Sequence, residues 1–311
     1  MKLTTRQIWD VITNAARALA EYCMKNDINY TVVGSSGGLD SAVTLGLAQK
    51  ARQIAAAQGF KLTSIGVTMP CESTDDSVRL GTLAVEKFGA KRIHSDLTKA
   101  YETLQYGEVD TFHEVNIQVV RVLQANNGFY VTGFVNATKI ASGNIKARLR
   151  MMTLYHIARM CRGMVLSTDN WSELMMGFWT LHGDVGDFGM IQNLLKGDEL
   201  YDTARELGVP EEIINARPDD GLGVTDGGDE TQLGAPYPVV DKVMIALIQN
   251  GFDLNGSRDQ LINSLPFVEG VPADVVLDLA RRCLGTSYKR IGTINLTREQ
   301  LGLPAIAELK V

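Results

Sequence analysis

Gly34-Ser-Ser-Gly-Gly-Leu-Asp-Ser41 follows the β-branched run Tyr30-Thr-Val-Val33 and precedes an alanine- and leucine-rich stretch reaching about Gln58. The run before it reads as a strand and the stretch after it as a helix, so the glycines mark the turn between them. Backbone N–H groups at such a turn point at whatever sits on the helix N-terminus, where the dipole favours an anion. A tight βα turn alone requires only Gly37 and Gly38. Here Ser35, Ser36, Asp40 and Ser41 surround them with hydroxyls and a carboxylate.

Working outward, residues 4–26 carry Ile8, Val11, Ile12, Ala15, Leu19 and Tyr22 at spacings of three and four, which predicts an amphipathic helix. Leu62–Val67 predicts a second strand and Lys91–His94 a third. Between them Ser73 is a candidate cap for a helix through Phe88, with Asp75 and Asp76 in its first turn. A helix is expected from Asn144 to about Cys161, followed by a buried strand at Gly163–Ser167. Strands alternating with helices imply an α/β fold, a doubly wound parallel sheet with helices on both faces. The glycine- and asparagine-rich stretch 125–143 reads as a long loop or small hairpin, and the acidic, glycine-rich stretch 217–236 as a mobile loop. From about Asp241 the chain reads as helical. No repeat divides it, and residues 1–311 are expected to form one domain.

Composition narrows the classes. A chain of 311 residues can bury a full core, and 45% hydrophobic with 21% charged residues is ordinary for a globular protein. The net charge of −6 offers no basic footprint for nucleic acid. Cys23, Cys71, Cys161 and Cys283 form no C-x-x-C pair, which argues against a zinc site or disulfide framework and suits a reducing compartment. The N-terminal stretch lacks an apolar signal region, so a cytoplasmic location without membrane attachment is expected.

The turn is not a Walker A loop, because no lysine follows the glycines, nor is it G-x-G-x-x-G. It does satisfy G-x-S-x-G, which raises a serine hydrolase with Ser36 as nucleophile. That chemistry wants a histidine late in the chain, whereas the histidines are His94, His113, His156 and His182. It also wants an earlier strand and loop for the oxyanion hole, and this turn follows the first strand. The hydrolase is the weaker alternative.

Ser36-Gly-Gly-Leu-Asp-Ser41 resembles the SGGxDS pyrophosphate loop of the N-type ATP pyrophosphatases. Three further segments are similar to those of the ammonia-dependent NAD synthetases within that superfamily: Gly143-Asn-Ile-Lys-Ala-Arg-Leu-Arg-Met151, Ser167-Thr-Asp-Asn-Trp-Ser-Glu173, and Gly177-Phe-Trp-Thr180 with His182-Gly-Asp-Val-Gly-Asp187. Asp229-Glu-Thr231, Leu233-Gly234, Tyr237 and Tyr288-Lys-Arg290 follow in the expected order, so the likeness covers roughly residues 5–295. It implies an adenine-nucleotide alpha hydrolase-like, Rossmann-like fold.

The resemblance also implies roles. Gly34, Ser35, Ser36, Gly37, Gly38, Leu39, Asp40 and Ser41 would hold the ATP phosphates, with Thr168, Lys196 and the Asp219 position as further ATP contacts. Asp40 and Glu173 would bind Mg²⁺, and catalysis would rest on Asp40 and Lys196. Arg148, Asp187, Tyr288 and Lys289 would contact nicotinic acid adenine dinucleotide. Its carboxylate would attack the α-phosphorus of ATP, and ammonia would then convert the acyl adenylate to NAD. Only 33 residues precede Gly34, too few for a glutaminase domain, so free ammonia is the expected donor.

The likeness further implies a homodimer in which the Asn144–Cys161 helices meet, and a lid at 219–234. The chain departs from the family pattern at Leu181, where the family has a lysine. It departs again at Asp219, where a carboxylate replaces Thr and repels phosphate unless a cation compensates, and at Thr68, which replaces an arginine. The remaining alternatives are the same ligase acting on nicotinic acid mononucleotide, and a nucleotide-binding relative impaired in catalysis.

Overall fold

The computed structural model describes residues 2–106, 111–125, 131–219, 221–223, 228–262, 265–292, 296–298 and 300. Among these residues five strands form one parallel sheet: β1 (Tyr30–Gly34), β2 (Thr63–Thr68), β3 (Lys91–His94), β4 (Met164–Ser167) and β5 (Phe188–Gly189), in the spatial order β3-β2-β1-β4-β5. Successive side chains of a strand point to opposite faces, and the core divides accordingly. Val33 and Leu166 pack beneath α1 (Thr5–Lys25) and α2 (Leu39–Ala57). Val32 and Val165 pack on the other face against Leu149, Leu154 and Ala158.

The remaining helices in chain order are α3 (Asp75–Lys87), α4 (Thr98–Tyr106), α5 (Thr111–Ala125), α6 (Val131–Cys161), α7 (Trp171–Met176), α8 (Glu199–Leu207), α9 (Glu211–Ile214), α10 (Gly228–Leu233), α11 (Tyr237–Gln249), α12 (Ala273–Gly285) and α13 (Tyr288–Ile291). Parts of α7, α10, α11 and α12 build a third apolar cluster around Met176, Tyr237, Met244 and Leu279. Among the described residues no helix is long and apolar enough to cross a membrane.

Four sequence expectations are corrected. The stretch read as a loop or hairpin at 125–143 is helical from Val131, so α6 is a 31-residue helix rather than one starting at Asn144. Glycine and asparagine weaken a helix only slightly, and tertiary support overrides them. Here Gln105 of α4 donates to Ser142 Oγ at 2.7 Å. The cap of α3 is Thr74, whose hydroxyl accepts from Ser77 N–H, while Ser73 Oγ accepts from Cys71 N–H. Within the stretch read as loop at 217–236, Gly228–Leu233 forms α10; residues 220 and 224–227 lie outside the described residues. Tyr22, placed on the buried face of α1, is 45% exposed and lies against Phe188 with ring centroids 5.5 Å apart.

The glycine turn is pinned to α3. Ser35 Oγ donates to Gly81 O at 2.8 Å. A Cβ at Gly81 would lie 2.6 Å from Ser35 O, and one at Gly37, where φ is +93°, 2.5 Å from Ser77 O. Helix propensity alone favours alanine at position 81, but this backbone contact is fixed. Gly81→Ala should therefore lower Tm by a few degrees, about 1–3 kcal/mol of overpacking, and thermal unfolding by circular dichroism checks the sign.

Candidate active site

Strand order reverses between β1 and β4, because β2 and β3 lie on one side of β1 and β4 and β5 on the other. Open α/β sheets place their ligand crevice at the carboxyl ends of the strands flanking such a point. The turn after β1 and the segment Thr168–Glu173 after β4 meet there. Within the turn, the hydroxyls brace the backbone: Gly38 N–H donates to Ser36 Oγ at 3.2 Å, and Ser41 Oγ donates to Gly38 O at 3.0 Å. Among the described residues, the hydrogen-bond partners of Ser36 Oγ are Gly38 N–H and Ser41 Oγ, and no histidine is among them. His94 Nδ1 instead lies 3.0 Å from Thr68 Oγ1.

Three of the sequence-predicted residues converge. Lys196 Nζ lies 2.5 Å from Asp40 Oδ2 and 3.2 Å from Glu173 Oε1, with both Lys196 and Glu173 largely withdrawn from solvent. The helix dipole favours both carboxylates, since Asp40 sits in the first turn of α2 and Glu173 in the first turn of α7. Asn170 joins them. Its Oδ1 accepts from Glu173 N–H at 3.0 Å, Glu173 Oε2 accepts from Asn170 N–H at 3.2 Å, and Asn170 Nδ2 donates to Asp40 Oδ1 at 2.8 Å. The first two bonds are a capping box. Tyr237 closes the far side: its hydroxyl lies 3.3 Å from Glu173 Oε1 and 3.1 Å from Asp229 Oδ2, and its ring lies 4.8 Å below Lys196 Nζ.

Negative charge is in surplus here. Burial pushes the Glu173 carboxyl well above the usual carboxylate range, with Lys196 opposing the rise and Asp40, Asp169 and Asp229 adding to it. Burial alone would lower Lys196, but Asp40, Glu173 and Asp229 outweigh it and hold the ammonium charged. Burial likewise lifts the Tyr237 phenol far above its ordinary range. Asp169 rises to about 7, first through burial and then through Asp184, against the stabilising Ser167 hydroxyl 3.0 Å away.

The other predicted residues do not join this centre. Thr168 follows β4 at the crevice, half-buried. Asp219 is exposed and accepts from Gly221 N–H at 2.7 Å. Arg148 Nε donates to Leu181 O at 3.2 Å, and Lys289 Nζ donates to Gly177 O and Trp179 O at 2.7 and 2.5 Å. Asp187 accepts from Tyr155 Oη at 2.7 Å and from Val165 N–H at 3.0 Å, which ties it to β4. Tyr288 is 52% exposed. Sequence reasoning assigned no role to Asn170, Asp169, Asp229 or Tyr237. The capping-box spacing Asn170-Trp-Ser-Glu173 was a readable signal for the first.

A model of the NAD synthase family matches residues 11–292. The chain belongs to that family. It is 33% identical over 242 residues to an NH(3)-dependent NAD(+) synthetase of Alkaliphilus oremlandii, covering 77% of this chain and 86% of that one. Solved structures share the fold. NMN synthetase from Francisella tularensis aligns with a TM-score of 0.65 at 24% identity, over 93% of this chain and 98% of that one. NH3-dependent NAD synthetase from Campylobacter jejuni aligns at 0.64 and 18% identity, over 93% and 99%.

Asp169 supplies a pH test. Its folded pKa of about 7 lies above the ordinary 3.8, so across that window the folded chain retains a proton that the unfolded chain releases. Stability therefore falls as pH rises from about 4, and the loss is complete above about 7. Asp169→Asn, neutral throughout, should raise Tm by several degrees at about pH 8 and by nothing near pH 4; unfolding scans at the two values check it.

Proposed function

We propose that this chain amidates the carboxyl group of nicotinic acid adenine dinucleotide with ammonia, consuming ATP and giving NAD, AMP and pyrophosphate through an acyl adenylate. The observation that carries it is the Asp40–Lys196–Glu173 centre set against the anion-seeking turn Gly34–Ser41. Family membership and the NH(3)-dependent relative support the reaction and the nitrogen source. In this reading the backbone N–H groups of the turn hold the ATP phosphates, and Lys196 supplies a fixed positive charge beside them. Thr168 and Asp219 border the nucleotide. Arg148, Asp187, Tyr288 and Lys289 contact the acid substrate, holding its carboxylate in line with the α-phosphorus.

Asp40 and Glu173 suit Mg²⁺. Their oxygens converge on one ammonium, carboxylates are the donors that ion takes, and one or two of them commonly hold it together with substrate phosphates. Carboxylates also remain in excess after Lys196 is counted. When bound, the ion neutralises the charge that develops on departing pyrophosphate.

A second reading, the same ligase acting on nicotinic acid mononucleotide, is favoured by one observation. The cations expected to meet the larger substrate are spent on backbone carbonyls, Arg148 on Leu181 O and Lys289 on Gly177 O and Trp179 O, while Leu181 itself carries no charge.

Incubating both acids with ATP, Mg²⁺ and ammonium, with mass detection of the amide, tests the proposal. The dinucleotide should be converted at least tenfold faster, glutamine alone should give nothing, and Asp40→Asn and Glu173→Gln should each reduce turnover at least a hundredfold with the fold intact. Preference for the mononucleotide would install the second reading, and ATP binding without any amide would mark a catalytically impaired relative.

The assembly we propose is a homodimer meeting along α6, where Met152, Tyr155 and Met160 are 63%, 40% and 76% exposed on the outer surface. Apolar groups gathered on one helix face fit a two-fold contact. Sedimentation at micromolar concentration should give twice the chain mass, and Met152→Glu with Met160→Glu should give the monomer.

A further inference from the structure

Asp241, which no sequence motif marks, lies on α11 with 5% exposure, flanked by Val240 and Val243, both fully buried. A carboxylate in such surroundings is costly unless both oxygens find donors. Both do. Oδ1 accepts from Ser172 Oγ–H at 2.5 Å, and Oδ2 accepts from Gly197 N–H at 2.8 Å. Ser172 Oγ in turn accepts from Lys196 N–H at 3.0 Å. The approach is close enough to demand glycine: a Cβ at position 197 would lie 2.8 Å from Asp241 Oδ2 and 2.9 Å from the Pro238 backbone.

The partners are telling. Ser172 adjoins Glu173 in the first turn of α7, and the Lys196–Gly197 peptide carries the ammonium that bridges Asp40 and Glu173. One buried carboxylate thus fastens two chain segments, each a residue away from the charged centre. Stability alone would not call for it, because a well-packed apolar residue serves a core as well as or better than a buried charge. What an apolar residue cannot supply is simultaneous acceptance from a hydroxyl and a backbone N–H at fixed spacing.

We propose that Asp241, acting through Ser172, is a positioning residue that sets Lys196 against Glu173 and Asp40 at the nucleotide site. The proposal rests on the reading of Lys196 as an ATP contact. Its test compares Asp241→Asn, Ser172→Ala and their combination with Val243→Ala, a packing loss on the same helix. Tm, ATP affinity by calorimetry on the full chain, and kcat and KM for ATP are measured where every variant is folded.

Asp241→Asn and Ser172→Ala should each weaken ATP binding at least fivefold and lower kcat at least tenfold. The double variant should be no worse than the poorer single one. Val243→Ala should lower Tm while leaving ATP affinity and kcat within twofold of the parent. Folded Asp241→Asn with parental affinity and kcat would overturn the proposal, as would equal losses in Val243→Ala. If Asp241→Asn does not fold, Ser172→Ala, which removes one hydroxyl, decides by the same thresholds. A parent chain that binds ATP without forming amide would sink the functional reading alone, since the affinity comparison still judges the network.

Discussion

Lys196 sits with its ammonium between Asp40 and Glu173, and the neighbouring buried groups are arranged around that contact. An ammonium out of water needs carboxylates, and carboxylates out of water need hydrogen bonds beyond their mutual cation. Asn170 and Tyr237 supply those bonds; both are buried, Asn170 as the N-cap of α7 and Tyr237 as the first residue of α11. The pair would be poor as a stabilising device. The role proposed for it, beside a phosphate chain and a divalent cation, gives the arrangement a use, because groups held in place before a ligand arrives need little reorganisation.

The short helix α7 shows how the rest of the molecule serves that contact. Its N-terminal end faces the centre through Asn170 and Glu173, and its C-terminal carbonyls are gripped from behind. Arg282 donates to Met176 O at 3.0 Å, Arg290 to Leu174 O and Met175 O at 3.3 and 3.0 Å, and Lys289 to the carbonyl of Gly177 just beyond. Cations at a helix C-terminus complement its dipole, and two of them on this six-residue helix, with a third on the residue after it, fix the mount of Glu173. Arg282 also reaches Gln232 O, so the helix that brings Asp229 to Tyr237 hangs from the same guanidinium.

Much of this was legible in the sequence. The strand–glycine–helix passage at 30–58 and the strands at 62–67, 91–94 and 163–167 follow from local pattern, whereas Asp40, Glu173 and Lys196 stand out only through the family resemblance, and their convergence on one ammonium is visible only in the fold. The two-residue β5 was invisible because two residues carry no periodicity, and α6 was cut short because its glycines and asparagines mimic a loop. Asp241 escaped because a single carboxylate in a helical run reads as solvated, and only tertiary contacts reveal that it is buried. The resemblance points to Arg148, Lys289 and Asp187, but the carbonyls and backbone N–H that occupy them are set by chain packing that no linear pattern encodes.

The central strand β1 pairs with β2 on one side and with β4 on the other, and roughly 130 residues of chain separate it from β4. During synthesis from the N-terminus, β1, β2 and β3 can assemble with α1 to α3 and complete the glycine turn. The far edge of β1, with Thr31, Val32 and Val33, then waits unpaired until Met164–Ser167 has emerged. An open apolar edge is a template for other chains. At ordinary elongation rates of roughly 5–20 residues per second, that exposure lasts on the order of ten seconds. The strand order that places a crevice between β1 and β4 therefore also leaves the central edge open to foreign strands for that interval.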